Sequence, residues 1–168
     1  MAAAAIHRVG IGTDLHRLEA GRRLVLGGVE IPYEKGLAGH SDADVVLHAL
    51  IDAISGAAGM PDIGEQFPDT DPAYRGADSA KLLAASMQRV RGLGYDVGNV
   101  DVVIHAERPK LTPHKDAIRR RVAELLSVNV EQVSIKAKTN EGQDAVGRGE
   151  AIAATVVAGL TLREAKTA

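Results

Sequence analysis

A chain with no tryptophan, one phenylalanine and three tyrosines has to build its interior from aliphatic side chains of modest size. Tyr33, Phe67, Tyr74 and Tyr95 are its aromatic residues, while 27 of its 168 residues are alanine. Such a core is thin, and a domain of this length buries a limited share of its own surface. The composition therefore points toward burial against further subunits. It also fits one domain spanning 1–168, with little room for a second.

The same composition removes whole classes of function. Twenty basic residues stand against 22 acidic ones, a net charge of −2, so no nucleic acid and no membrane surface is expected as a partner. Cysteine is absent, which excludes disulfides, thiolate catalysis and cysteine-held zinc or iron–sulfur sites. Any metal must bind through His, Asp or Glu. The opening apolar run is too short for a signal peptide and Arg8 soon interrupts it. No stretch approaches the roughly 18 apolar residues of a membrane span. These features together predict a cytoplasmic protein.

Hydrophobic periodicity predicts the elements in outline. Ile6 to Ile11 reads as a strand running into Gly12-Thr13-Asp14-Leu15-His16, and Arg23 to Ile31 as two β-rich runs around a Gly27-Gly28 hairpin turn. Ser41 to about Ala58 reads as a helix. Ser41 would cap it with Asp44 three residues on, and Leu47, Leu50, Ile51, Ile54 and Ala58 would form its apolar stripe. Gly59 to Ala77 reads as loop, and Asp78 to about Arg91 as a second helix. Val97 to His105 is a strand with Val100, Val102 and Ile104 on one face. Thr112-Pro113 opens a third helix to about Leu126, and Val133 to Thr139 is a strand. For Glu150 to Leu162, alternating Ile152, Ala154 and Val156 favour a strand while the alanines favour a helix. The order predicts an α+β fold with helices layered on a mostly β face.

Asp14-x-His16 is the sharpest chemical signal. Two residues apart on an extended segment, the carboxylate and imidazole project from the same face and can hold one cation, or merely serve structure. In His40-Ser41-Asp42-Ala43-Asp44-x-x-x-His48, His48 stands four residues after Asp44 and four before Asp52, so the three share a helix face. That row is either a solvated surface or a metal ligand with supporting carboxylates. Asp14, His16 and His48 would give three protein ligands and leave a zinc ion one open position, the catalytic pattern. His40-Ser41 at a helix start would suit a phosphate, or Ser41 simply caps the helix. Asp62 could accept hydrogen bonds from a sugar diol, with Gly64 permitting close backbone approach; alternatively Asp69 and Asp71 only cap turns of a rigid loop. Thr139 and Glu141 leave a strand end, where Glu141 could hold magnesium. Arg148 and Glu150 form a charged pair between glycines, either structural or functional.

Taken together, these motifs resemble the 2-C-methyl-D-erythritol 2,4-cyclodiphosphate synthase family. The resemblance runs from about Val9 to Leu162. It covers G-x-D-x-H at Gly12–His16, I-P-Y-E-K-G-L at Ile31–Leu37 and H-S-D-x-D-x-x-x-H-A-L at His40–Leu50. It continues through D-I-G-x-x-F-P-D-T-D at Asp62–Asp71, A-D-S at Ala77–Ser79, G-N-V-D at Gly98–Asp101 and G-R-G-E at Gly147–Glu150. The resemblance implies a cyclase that releases CMP from a cytidine diphosphate substrate. It implies Zn2+ on Asp14, His16 and His48, and Mg2+ or Mn2+ near Glu141. His40 and Ser41 would meet the substrate's phosphate, Asp62 and Gly64 its erythritol part. Ala106 and Lys110, in the stretch to Leu111, would meet the cytidine, with Asp52 a weaker candidate. Thr139 would sit at the diphosphate, His40 and Thr139 would carry catalysis, and Arg148 would join the substrate-binding set. The implied fold is a mixed β-sheet covered on one face by helices, in a homotrimer whose sheets face the threefold axis and whose sites lie between subunits. It also favours a strand for Glu150 to Leu162. Two departures stand out: Ala145 replaces a phenylalanine that lines an axial cavity in some members, and Lys138 replaces a threonine. A zinc phosphohydrolase and a metal-free trimeric binding protein are the rival readings.

Overall fold

The computed structural model describes residues 6–74 and 76–163; residues 1–5, which hold most of the opening apolar run, lie outside it, as do 75 and 164–168. Its frame is a five-stranded mixed sheet in the order β4-β1-β7-β5-β6. Strand β1 (Arg8–Ala20) and strand β7 (Ala151–Leu162) pair antiparallel along most of their length, with Gly12 opposite Val156. Strand β5 (Tyr95–His105) pairs antiparallel with β7 and parallel with β6 (Val133–Lys138), and short β4 (Lys35–Leu37) borders β1. A hairpin of β2 (Leu24–Leu26) and β3 (Val29–Ile31) turns at Gly27-Gly28, as its sequence predicts. The helices are α1 (Val45–Ala58), one-turn α2 (Ile63–Gln66), α3 (Ser79–Gly92), α4 (Lys115–Leu126) and one-turn α5 (Asp144–Gly147). Among the described residues, no helix is long and apolar enough to cross a membrane.

Packing decides the segment that the sequence leaves open and fills out the helix it predicts. Ala151–Leu162 is a strand, because β1 and β5 flank it and take up its backbone groups on both sides. Helix α1 carries no simple stripe: Val45 through Ile51, apart from His48, and Ala53, Ile54, Ala57 are all buried. It lies between the sheet and α3, and a helix covered on both sides is apolar nearly all round. It also starts later than Ser41. Asp44 is its cap, accepting from the N–H groups of Val46 and Leu47. The loop from Gly59 gains α2 and a 3-10 turn at Pro72–Tyr74, and the third helix begins at Lys115 after a 3-10 turn. Large buried side chains are Leu, Ile and Met; Phe67 is the buried aromatic.

Side-chain alternation divides β1 into two functional edges. Gly10, Gly12, Asp14 and His16 face α1, whereas Val9, Ile11 and Leu15 face away and are 66, 65 and 57 % exposed. The glycines are a steric requirement. A Cβ on Gly12 would sit 2.0 Å from the Ala49 carbonyl oxygen, and one on Gly10 would sit 2.1 Å from that of Ala53. We expect Gly12→Ala to lower unfolding stability by about 3 kcal/mol through forced separation of helix and strand. Urea unfolding of the metal-free protein checks this, and an unchanged midpoint would show that α1 does not press on β1.

Candidate metal centre and its cavity

Because α1 rides directly on Gly10 and Gly12, its residue His48 arrives beside the next two inward positions of β1. Asp14 Oδ2 lies 2.9 Å from His16 Nε2 and 3.1 Å from His48 Nδ1, and the two ring nitrogens are 3.3 Å apart. These three donor atoms all lie within 4.8 Å of one another. The rings meet edge to face, with centroids 5.3 Å apart. The spacing argument for Asp14 and His16 therefore holds, and the structure brings His48 to them as the sequence suggested.

Proton accounting supports a cation there. His16 Nδ1 is 2.7 Å from the Ala38 carbonyl, which can only accept, so that nitrogen carries the proton and Nε2 presents its lone pair inward. Burial opposes ionisation of Asp14, yet the His16 and His48 imidazoles beside it outweigh burial and hold the carboxyl far below the usual range. The bond to Asp14 raises the basicity of His16, partly offset by burial. A carboxylate oxygen and two imidazole nitrogens at one point form a donor set suited to Zn2+ with a remaining open position.

Beside this cluster opens a cavity of about 520 Å³ lined by His16, His40, Ser41, His48, Gly64 and an apolar wall that includes Phe67 and Tyr74. The Phe67 and Tyr74 rings pack edge to face at 5.3 Å. Ser41 Oγ lies 3.2 Å from His48 Nε2 and accepts from the Ala43 N–H, which leaves its own proton free for a ligand. His40 is mostly exposed, 3.9 Å from Asp69.

The structure places the other candidates apart from the three metal-site residues. Helix α1 begins four residues after Ser41, and its first N–H groups bond Asp44, so they do not supply a phosphate site at His40-Ser41. Asp44 is no partner to the His48 ring. It is fully buried and also accepts from Gly27 N at 2.9 Å and Gly28 N at 2.6 Å, clasping the hairpin turn to α1. Burial pushes its carboxyl up to about 6 despite the four N–H donors. Asp52 accepts from Ile63 N at 2.7 Å, which anchors α2. Asp62 caps α2 through Glu65 N at 2.9 Å, so one of its oxygens serves the loop. Ala106, Lys110, Thr139, Glu141 and Arg148 do not line the cavity. Ala106 and Lys110 lie on the segment following β5, Thr139 and Glu141 on the turn after β6, where the Thr139 hydroxyl donates to Glu141 at 3.1 Å. Arg148 makes a two-pronged pair with Glu150, both contacts 3.0 Å. Sequence reasoning missed Ser79, whose hydroxyl reaches the outer nitrogen of His48, and Asp42, which accepts from that hydroxyl. The A-D-S motif was the available signal, but nothing in its local spacing links it to α1.

The chain is similar to known proteins over most of its length. The YgbB family model matches residues 7–161. The chain is 56 % identical over 150 residues to 2-C-methyl-D-erythritol 2,4-cyclodiphosphate synthase of Halalkalibacterium halodurans, covering 89 % of this chain and 96 % of that one. The enzyme of the same name from Pelobacter propionicus is 55 % identical over 150 residues, covering 89 % and 95 %. Among solved structures, the CDP-bound form of 2C-methyl-D-erythritol-2,4-cyclodiphosphate synthase aligns with TM-score 0.85 at 39 % identity, over 91 % of this chain and 99 % of that one. The bifunctional IspDF from Campylobacter jejuni aligns with TM-score 0.90 at 38 % identity; it covers 94 % of this chain, which spans only 42 % of its length.

For the clasp at the head of α1, we expect Asp44→Ala to cost about 2–4 kcal/mol, since it strands the N–H groups of Gly27, Gly28, Val46 and Leu47. Denaturant titration of the metal-free protein measures it. A loss under about 1 kcal/mol would mean that other acceptors replace the carboxylate.

Proposed function

The chain belongs to the YgbB family, and from that premise we propose that it converts 4-diphosphocytidyl-2-C-methyl-D-erythritol 2-phosphate to 2-C-methyl-D-erythritol 2,4-cyclodiphosphate and CMP. The observation that carries the reading is the convergence of Asp14, His16 and His48 on one point at the wall of a cavity that also holds His40, Ser41 and Gly64. An oxygen of the 2-phosphate attacks the β-phosphorus, a ring P–O bond forms, and the bond from that phosphorus to the bridging oxygen breaks as CMP departs. The substrate brings its own nucleophile, so the protein needs no activated serine, cysteine or lysine. Its work is alignment and charge neutralisation.

Each residue has a part in that work. Asp14, His16 and His48 would hold Zn2+, which would supply Lewis-acid polarisation of the attacked phosphate. Glu141, a single exposed carboxylate, would hold Mg2+ or Mn2+, whose positive charge would offset that of the diphosphate. Ser41 donates its free hydroxyl proton to phosphate oxygen, and His40 approaches the same group from the cavity rim. Gly64 lets backbone come close to the erythritol part, Asp62 with its remaining oxygen joining it. Thr139 stabilises charge at the diphosphate, while Ala106 and Lys110 receive the cytidine and Arg148 remains in the binding set. Phe67 and Tyr74 keep water from that side of the cavity. The reaction belongs in the cytoplasm, as expected for a small enzyme of a water-soluble nucleotide.

The residues of the cytidine and diphosphate group stand away from the cavity of their own chain, which supports a homotrimer with sites shared between subunits. The outward sheet face offers the contact surface. Val9, Ile11, Leu15 and Val157 are large, exposed and adjacent across β1 and β7, with Ile11 directly opposite Val157. Ile11→Lys is expected to shift the protein from trimer to monomer in analytical ultracentrifugation, and a trimer of unchanged stability would exclude this face as the interface.

Incubation with the substrate and Mg2+ should release CMP and the cyclic diphosphate in equal amounts. His16→Ala should lose bound zinc and at least about a thousandfold of turnover. CMP formed with an uncyclised product would turn the reading toward a hydrolase, and normal turnover in the variant would remove the ligand assignment.

A further inference from the structure

A metal on His48 requires its ligating nitrogen to be free of a proton. His48 Nε2 lies 2.9 Å from Ser79 Oγ, and the Ser79 hydroxyl in turn bonds Asp42 Oδ1. A carboxylate only accepts, so the hydroxyl proton belongs to Asp42. Ser79 Oγ is left with lone pairs alone for the histidine, and it must accept from Nε2–H. Nε2 therefore carries a proton, and in the neutral ring Nδ1 is the bare nitrogen, 3.1 Å from Asp14.

We propose that Ser79 and Asp42 are positioning residues that fix the His48 tautomer and ring orientation required for metal binding. Ser79 is fully buried, so no solvent competes for its hydroxyl. Its backbone N–H also donates to Asp42 Oδ2 at 3.1 Å, so both carboxylate oxygens bond Ser79, Oδ1 accepting from Asp44 N as well. Ser41 Oγ is nearer the ligand side, longer at 3.2 Å, and already accepts from Ala43; it does not determine where the His48 proton sits. The other imidazole ligand is set differently. His16 donates to a main-chain carbonyl at Ala38, which no substitution can delete. His48 depends on two side chains drawn from segments 37 residues apart. Outer partners of this kind typically change metal affinity about 10–100-fold.

This inference rests on the metal reading, and the substitutions separate the two. Ser79→Ala deletes the hydroxyl and keeps the N–H bond to Asp42. Asp42→Asn does something sharper: its amide can accept at one atom only. Where its N–H meets Ser79 Oγ, the hydroxyl proton turns toward His48 Nε2 and drives the ring proton to Nδ1, the form that cannot ligate. The experiment is Zn2+ binding to the full chain, measured by competition with a chromophoric chelator, for the parent, both single variants and the double variant. Nitrogen-15 correlation spectra of the zinc-loaded protein report the His48 tautomer, and urea midpoints of the metal-free proteins report folding.

Each single variant is expected to bind Zn2+ about 10–100-fold more weakly. The double variant should be no weaker than Asp42→Asn alone, because both changes break one chain. The parent spectrum should show the proton on Nε2. Zn2+ affinity in Ser79→Ala within about twofold of the parent would overturn the proposal, as would losses that multiply in the double variant. A parent that binds no zinc would overturn the metal reading, and the relay with it. A parent that binds zinc beside variants that bind it equally would overturn the relay alone.

Discussion

The contact between β1 and α1 governs the rest of the molecule. Two glycines remove the Cβ atoms that would otherwise meet the carbonyl oxygens of Ala49 and Ala53, so helix and strand touch backbone to backbone. Glycine in a strand costs roughly 1 kcal/mol each in lost conformational freedom. Against that, Leu47, Leu50, Ile51 and Ile54 are fully buried on α1, each contributing about 1.5–3 kcal/mol. Burial wins by a wide margin, and the helix can be held close. Close approach is what brings an imidazole from the helix to a carboxylate and an imidazole on the strand without a long or flexible side chain.

A thin aliphatic interior suits this arrangement. Inward rows across the sheet, such as Gly12, Val156, Val102 and Ile135, run from no side chain at the helix contact to branched ones further away. Where bulk is needed it comes from β-branched residues and leucine, and the aromatic pair Phe67–Tyr74 is kept for the cavity wall. The polar groups cluster at the end of that contact. Asp44 holds the hairpin turn to the head of α1, and Asp52 holds α2 to its middle, so carboxylates that look alike in sequence do different mechanical work.

The features read correctly from the sequence were those encoded by short periods. Asp14 and His16 stand two apart on a strand, and His48 stands on a long helix; both follow from alternation and helical spacing. Boundaries were less secure. Ser41 and Asp44 are both good caps, and the choice between them depends on the Gly27 and Gly28 N–H groups, which arrive from another part of the chain. The strand at Ala151–Leu162 was ambiguous because alanine favours helices, and only two flanking strands decide otherwise. Asp62 looked free to meet a ligand but caps a one-turn helix too short to show any periodicity. Ser79 and Asp42 escaped notice because their meeting is a property of the fold, with no shared element to announce it.

The two faces of β1 leave this protein little evolutionary latitude. One face carries glycines and metal-binding groups, and the other carries Val9, Ile11 and Leu15. A strand repeats every two residues, so a single inserted or deleted residue would exchange the faces wholesale. Ligands would point into solvent, and bulky side chains would be driven against the helix backbone. A length change inside this strand would thus displace every residue beyond it at once, whereas a substitution alters one position on one face.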